Sequence, residues 1–259
     1  MKSVIVIGDI HGCYSTLKAL LNKLPQGANI SIAVSGDLID RGPDSKRVVQ
    51  WAIDNNIPVA LGNHEKMMID FYNGDTQGDV WLDNGGIETL KSYGGTIKHY
   101  KQYGRKIDDL ALLNRDNNYE SIVWDSPSSK KLFEQHVFWM SKLPIMLEAI
   151  DVVNDEGRHL VITHSNVCNI YQSFKDGKMD KDIFDQRVLW GRPTAIKNQP
   201  NIYNIHGHTP IENGPKIRVP FANIDTGAVF QDRGYGVLTA LQYPEMIIYS
   251  KENVESQIY

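Results

Sequence analysis

Val4-Ile5-Val6-Ile7-Gly8-Asp9-Ile10-His11-Gly12 is the stretch that decides the fold. Residues 4–7 are a short run of β-branched apolar side chains, the composition of a strand buried on both faces. Residues 8–12 form a loop bounded by glycines. Leu17, Leu20, Leu21 and Leu24 follow at helical spacing across residues 15–24. The stretch therefore reads as strand, loop, helix. The unit recurs with Ile30–Val34 as strand, 36–42 as loop and 43–55 as a helix carrying Val48, Val49, Ala52 and Ile53. A third copy has a strand over 58–61, a turn over 62–64 and a helix over 65–72. Strands that alternate with helices pair in parallel and define an α/β fold.

The pattern changes between residues 73 and 143. Gly74, Gly78, Gly85, Gly86, Gly94, Gly95 and Gly104 fall there among many aromatics, with helices expected around 87–93 and 130–142. The segment reads as a mostly helical insertion, or cap, within a single domain spanning residues 1–259. Strands are expected again at 145–153, 159–163, 202–205, 222–224, 236–242 and 246–249. The last two fit a hairpin through Tyr243-Pro244-Glu245.

Composition narrows the function. The net charge is -4 and no block of like charges occurs, so no basic face for nucleic acid is indicated. Cys13 and Cys168 are the only cysteines, which excludes a disulfide framework and makes a cytoplasmic setting the expectation. No stretch approaches the roughly 20 apolar residues of a membrane-spanning helix. The apolar run at 4–7 is too short for the core of a secretory signal. A chain of 259 residues buries roughly three quarters of its unfolded surface and folds without a structural metal. A metal here would serve chemistry. A monomer is the default expectation.

Three loops carry polar residues that plain turns do not need. They are Gly8-Asp9-Ile10-His11-Gly12, Gly36-Asp37-Leu38-Ile39-Asp40-Arg41-Gly42 and Gly62-Asn63-His64-Glu65, each directly after a strand. The carboxyl ends of parallel strands share one sheet edge, where ligands bind. The loops therefore bring together Asp9, His11, Asp37, Asp40, Asn63 and His64, with Arg41 beside them. Packed carboxylates repel one another, and divalent cations offset that charge. Carboxylate oxygens combined with imidazole nitrogens suit manganese, iron or zinc better than calcium. His164 follows another strand and joins the ligand candidates. Of His206 and His208, one is a ligand candidate and the other a supporting residue. His99, His136 and His159 lack a strand-end context and read as surface or packing residues.

These motifs resemble the signatures of the phosphoprotein phosphatase family within the calcineurin-like metallophosphoesterases. Thr163-His164-Ser165 and His206-Gly207-His208-Thr209-Pro210 resemble the C-terminal metal histidines of its bacteriophage and bacterial serine/threonine phosphatase branch. Trp81-Leu82-x-x-Gly85-Gly86 and Ile224-Asp225-Thr226-Gly227-Ala228 are also similar to that branch. The resemblance spans the chain and is weakest over residues 95–140. It implies two mixed β-sheets packed as a sandwich flanked by helices. It implies a first metal on Asp9 and His11, a second on Asn63, His164 and His208, and Asp37 bridging both. It pairs Asp40 with His64 as general acid, and sets Arg41 and Arg192 on phosphate oxygens. Arg192 rests on Leu189-Trp190-Gly191-Arg192, a looser match. Gln231-Asp232-Arg233-Gly234 lengthens a loop at the site rim relative to the family.

The implied activity is phosphomonoester hydrolysis on phosphoserine or phosphothreonine proteins, with two divalent ions, manganese first and iron or zinc as alternatives. The alternative keeps the metals and changes the substrate to dinucleoside polyphosphates or the phosphate ends of nucleotides and RNA. The partner is a phosphorylated protein or a small phosphoester. A general-acid His64 must carry a proton, and Asp40 within hydrogen-bond reach is expected to raise its pKa and fix its ring.

Overall fold

The computed structural model describes residues 2–74, 78–98, 101–102, 105–106, 121–230 and 234–255. The first half runs β1 (Ser3–Ile7), α1 (Tyr14–Leu21), β2 (Ile30–Val34), α2 (Ser45–Asp54) and α3 (Asn63–Asn73). Next come α4 (Gly78–Trp81), a π-helical turn (Leu82–Gly86), α5 (Ile87–Ser92), β3 (Gly95–Lys98), β4 (Lys101–Gln102), β5 (Arg105–Lys106), β6 (Ser121–Trp124) and α6 (Pro127–Met140). The second half holds β7 (Met146–Val153), β8 (His159–Thr163), α7 (Tyr171–Lys175), α8 (Lys181–Trp190) and β9 (Ile202–His206). It ends with β10 (Lys216–Ile217), β11 (Phe221–Asn223), β12 (Val237–Tyr243) and β13 (Ile247–Glu252).

Two mixed sheets form from these strands. The first has the order β13-β12-β1-β2, and the second β10-β11-β9-β8-β7. β1 and β2 are parallel, with Val4 opposite Ser31 and Ile7 opposite Val34, while β12 runs antiparallel to β1. In the second sheet β8, β9 and β11 are parallel, and β7 and β10 run against their neighbours.

The sheets pack face to face. Val4, Val6, Leu241 and Tyr243 of the first share one core with Leu160, Ile162, Tyr203 and Ile205 of the second. The other face of β1 presents Ile5 and Ile7 to Leu17 and Leu20 of α1, Val48 and Val49 of α2, and Met68 and Phe71 of α3. That double burial explains why residues 4–7 show no polar alternation. On the outer side of the second sheet, Val161 and Ile202 pack against Phe184 and Val188 of α8. Each such side chain contributes about 1.5–3 kcal/mol by leaving water.

The third strand of the sequence reading shrinks to a single bridge, Val59 to Val34. Val34 N donates to Pro58 O and Ala60 N donates to Val34 O, both at 3.0 Å. Leu61 N then turns away to Pro144 O at 2.8 Å, which ends the ladder. The direction stays parallel, so the loop that follows still reaches the shared edge.

The segment over 73–143 holds strands as well as helices. β3 pairs antiparallel with β6, placing Thr96 opposite Val123 and Ile97 opposite Ile122. The partners lie too far apart in sequence for a hairpin signal to reveal them. Trp81, Leu90, Tyr93, Phe133, Val137 and Met140 join the same core as α2 and α3. His136 is buried within it, with Nδ1 2.7 Å from the Tyr93 hydroxyl and Nε2 3.1 Å from Gln50 Oε1. His136 is thus a packing residue. His99 and Gln231–Arg233 lie outside the described residues.

Candidate active site

Six strand ends converge. The loops after β1, β2, Val59, β8, β9 and β11 supply the polar cluster. The first two loops are tied by their backbones: Ile10 N and His11 N donate to Asp37 O at 3.0 and 2.9 Å, and Gly12 N donates to Leu38 O at 2.8 Å. His11, Asp37, Asp40, Arg41 and His208 all have positive φ, between 46° and 76°. Each such residue costs about 1–3 kcal/mol, and such residues gather where function requires them. Glu65 offsets part of that cost. Its buried carboxylate accepts from Asp37 N, Leu38 N and Gly62 N at 2.9, 2.7 and 3.1 Å. It thereby fixes the second loop and the start of α3 together. Burial and the Asp37 charge push the Glu65 carboxyl up to about 8, against the Leu38 and Asp37 N–H donors.

Within this frame the candidate ligands meet. His164 Nε2 lies 2.6 Å from Asn63 Oδ1 and 3.4 Å from Asp37 Oδ2. His208 Nδ1 lies 3.0 Å from Asn63 Oδ1 and 3.1 Å from His164 Nε2. His11 Nε2 lies 3.6 Å from Asp37 Oδ2. Asp9 Oδ2 accepts from His208 N at 3.0 Å. Nδ1 of His11 donates to Ile39 O at 2.8 Å, and Nδ1 of His164 donates to Ser35 O at 3.1 Å. Those bonds set the tautomer and leave each Nε2 lone pair facing Asp37, as metal-binding histidines require. Burial pushes His164 and His208 down to about 3, so both rings are neutral.

The donor set fits divalent cations on several counts. His11, Asp37 and His64 offer atoms within 4.8 Å of one another, and so do Asp9, Asp37 and His164. Asp37 belongs to both groups. Asp9 Oδ1 and His208 Nε2 are buried without a partner. Burial, then the Asp225 and Asp37 charges, push the Asp9 carboxyl well above its ordinary range. Cations would relieve the costs at Asp9.

Beside the cluster, His64 Nδ1 and Asp40 Oδ2 lie 2.6 Å apart, both buried. Trp81 Nε1 and Thr89 Oγ1 also donate to the Asp40 carboxylate. Burial pushes Asp40 well up, which the Thr89 and Trp81 donors oppose. Burial pushes His64 down to about 4, against the pull of Asp37. The expected rise of the His64 pKa is therefore not found. Both partners are desolvated, which disfavours the charged form of each.

Arg41 aims at the same point, with Nη1 2.7 Å from His11 Nε2 and Nη2 3.0 Å from His64 Nε2. Its backbone N donates to Gly85 O at 3.3 Å, and its guanidinium lies over the Phe230 ring. Gly85 has φ +107°, and a Cβ there would collide with the Arg41 backbone. One edge of the 73–143 segment thus holds Asp40 and Arg41 in place, while its helices α5 and α6 buttress the core.

Arg192 is the candidate the structure leaves apart. It is exposed, lines a neighbouring cleft with His206 and Gly207, and reaches the cluster only through its charge on His208. His206 Nδ1 faces Gly207 O at 3.1 Å. Sequence reasoning assigned no role to Glu65, Trp81, Thr89 or Asp225. Glu65 carried a signal, the helix-start pattern of an acid three residues after Gly62. Asp225 is buried against Asp9, and burial pushes it up to about 7.

A family model described as calcineurin-like phosphoesterase matches residues 2–227. The chain belongs to this family, whose members use a dinuclear divalent metal site, and it is a hydrolase of phosphoester bonds. It is 29% identical over 270 residues to the asymmetrical bis(5'-nucleosyl)-tetraphosphatase PrpE of Geobacillus thermodenitrificans, covering 93% of this chain and 90% of that protein. It is 30% identical over 237 residues to serine/threonine-protein phosphatase 1 of Salmonella typhimurium, covering 88% of each. A protein serine/threonine phosphatase structure from Saccharomyces cerevisiae shares the fold, with a TM-score of 0.59 at 15% identity, covering 99% of this chain and 82% of that one. Among the described residues no helix is long and apolar enough to cross a membrane.

Proposed function

We propose that the chain is a metal-dependent phosphomonoesterase in which Asp9 and His11 hold one divalent ion, Asn63, His164 and His208 hold another, and Asp37 serves both. The observation that carries this reading is that Asp37 belongs to both close donor groups, one with His11 and His64 and the other with Asp9 and His164. When bound, such ions polarise phosphate oxygens and acidify a water. Manganese suits the donor set, with iron or zinc as alternatives.

The chain's own residues do the rest. Arg41 presents two guanidinium nitrogens toward the His11 and His64 rings, where they can bind phosphate oxygens. Arg192, exposed on the rim, adds a second cation to the approach. His64 donates a proton from Nε2 to the leaving oxygen, its ring fixed through Nδ1 by Asp40. The negative charge of an incoming phosphoester favours the imidazolium form at that position. Residues 1–259 act as one domain, with 73–143 as the part that positions Asp40 and Arg41.

Serine and threonine phosphoproteins are the first substrate class to test, and dinucleoside polyphosphates the second. Two free, buried cysteines suit a cytoplasmic location. The test of the reaction is phosphate release from p-nitrophenyl phosphate with added manganese. Release that stops with a chelator and returns with manganese supports the reading. No release with any divalent ion refutes it.

A further inference from the structure

Arg41 is held by contacts that the working site takes away. Its Nη1 lies 2.7 Å from His11 Nε2 and its Nη2 lies 3.0 Å from His64 Nε2. A guanidinium offers donors and no acceptor, so each ring must present a lone pair to it. The His11 Nε2 lone pair is the one assigned to a metal ion. The His64 Nε2 atom is the one assigned to the leaving oxygen. Neither is left for Arg41 once ions and substrate are in place. Among the described residues no carboxylate forms a salt bridge with Arg41.

Two contacts survive loading. The backbone N of Arg41 donates to Gly85 O at 3.3 Å, which fixes where the chain carries the residue. It does not aim a long side chain with many rotamers. The second contact does: the guanidinium carbon stands 5.4 Å from the centroid of the Phe230 ring. An aromatic face attracts a guanidinium and uses none of its in-plane N–H donors. An acid in that place would hold Arg41 and also neutralise it. The ring holds it and leaves its charge and donors for phosphate.

Phe230 is 38% exposed, yet its loop is anchored at both ends. Phe230 N and Gly236 N both donate to Gly227 O at 2.9 Å. Asn253 ties the two ends together, with Nδ2 donating to Ala228 O and N donating to Gly236 O, each at 2.7 Å. The Tyr235 ring supports Phe230 edge-on, with centroids 6.1 Å apart. Gly227 has φ +66°, and a Cβ there would press on the Tyr235 and Phe230 rings at 3.0 and 3.1 Å. The aromatic contact on Arg41 is therefore a fixed part of the rim.

We propose that Phe230 is a positioning residue that keeps Arg41 aimed at the non-bridging phosphate oxygens when ions and substrate occupy the site. This rests on the phosphoesterase reading above and adds a residue to it. The oxygens concerned are common to every phosphomonoester, so the role is independent of the leaving group.

The test uses manganese-loaded wild type, Phe230→Ala, Phe230→Tyr, Arg41→Ala and the double variant Phe230→Ala/Arg41→Ala. Affinity for inorganic phosphate is measured by isothermal titration calorimetry, and manganese content by elemental analysis. The expected result is about tenfold weaker phosphate binding in Phe230→Ala at unchanged manganese content, with the affinity restored in Phe230→Tyr. In the Arg41→Ala background, Phe230→Ala should cause no further loss, because the ring acts only through the guanidinium. Unchanged affinity in Phe230→Ala, or the same loss with and without Arg41, overturns the proposal. In Phe230→Ala, kcat/KM on p-nitrophenyl phosphate and on a phosphoserine peptide should fall by the same factor. A loss confined to one of them makes Phe230 a leaving-group contact and also overturns it. These outcomes leave the phosphoesterase reading standing. A manganese-loaded wild type that binds no phosphate and hydrolyses neither substrate refutes that reading, and the proposal with it.

Discussion

Trp81 Nε1 lies 2.9 Å from both carboxylate oxygens of Asp40, and neither side chain is exposed. The indole belongs to the segment between the third and fourth site loops, and the carboxylate belongs to the second. A tryptophan with no substrate contact thereby orients the residue that orients His64. Trp81→Phe keeps most of the packing and deletes the donor. A hydrogen bond to a charged acceptor is worth about 1.5–3 kcal/mol, so kcat on alkyl phosphates should fall about ten- to hundredfold. Metal content, measured by elemental analysis, should stay at the wild-type level. Loss of metal together with rate would contradict a role confined to the Asp40–His64 pair.

His64 separates proton donation from metal binding. His64→Asn should lower kcat on a phosphoserine peptide by about 10²–10⁴-fold. An alkoxide needs a proton to leave, whereas p-nitrophenolate does not, so the loss on p-nitrophenyl phosphate should be much smaller. Equal losses on both substrates would show that His64 does not act on the leaving oxygen.

His136 gives a pH test away from the centre. Burial holds its imidazole down at about 4, below its ordinary 6.5, so the folded protein keeps it neutral where the unfolded chain would protonate it. Its contribution to stability is complete above about 6.5 and is lost as pH falls from 6.5 toward 4. The melting temperature should drop across that window. In His136→Gln the drop should be shallower, and an identical slope in both proteins would refute the assignment.

Much of this was legible in the chain. The unalternating Val4 to Ile7 run announced a strand buried on both sides, and the loops after it placed Asp9, His11, Asp37 and Asp40 at one edge. Less visible were contacts set by tertiary packing. Nothing local to Trp81 or Thr89 says that they meet Asp40, more than forty positions earlier. The β3–β6 pairing was hidden for the same reason, since its partners lie too far apart for a turn signal. The pKa of His64 was misjudged because a sequence shows the charged neighbour and not the desolvation that outweighs it.

The claim on which the account turns is that Asp37 serves two metal ions at once. Wild-type, His64→Asn and Asp37→Asn proteins, stripped with a chelator and re-equilibrated with manganese, should be compared by inductively coupled plasma mass spectrometry. The account predicts about two ions per chain in wild type and in His64→Asn, and a loss at both sites in Asp37→Asn. Two ions retained in Asp37→Asn, or full wild-type activity with no metal detected, would contradict it.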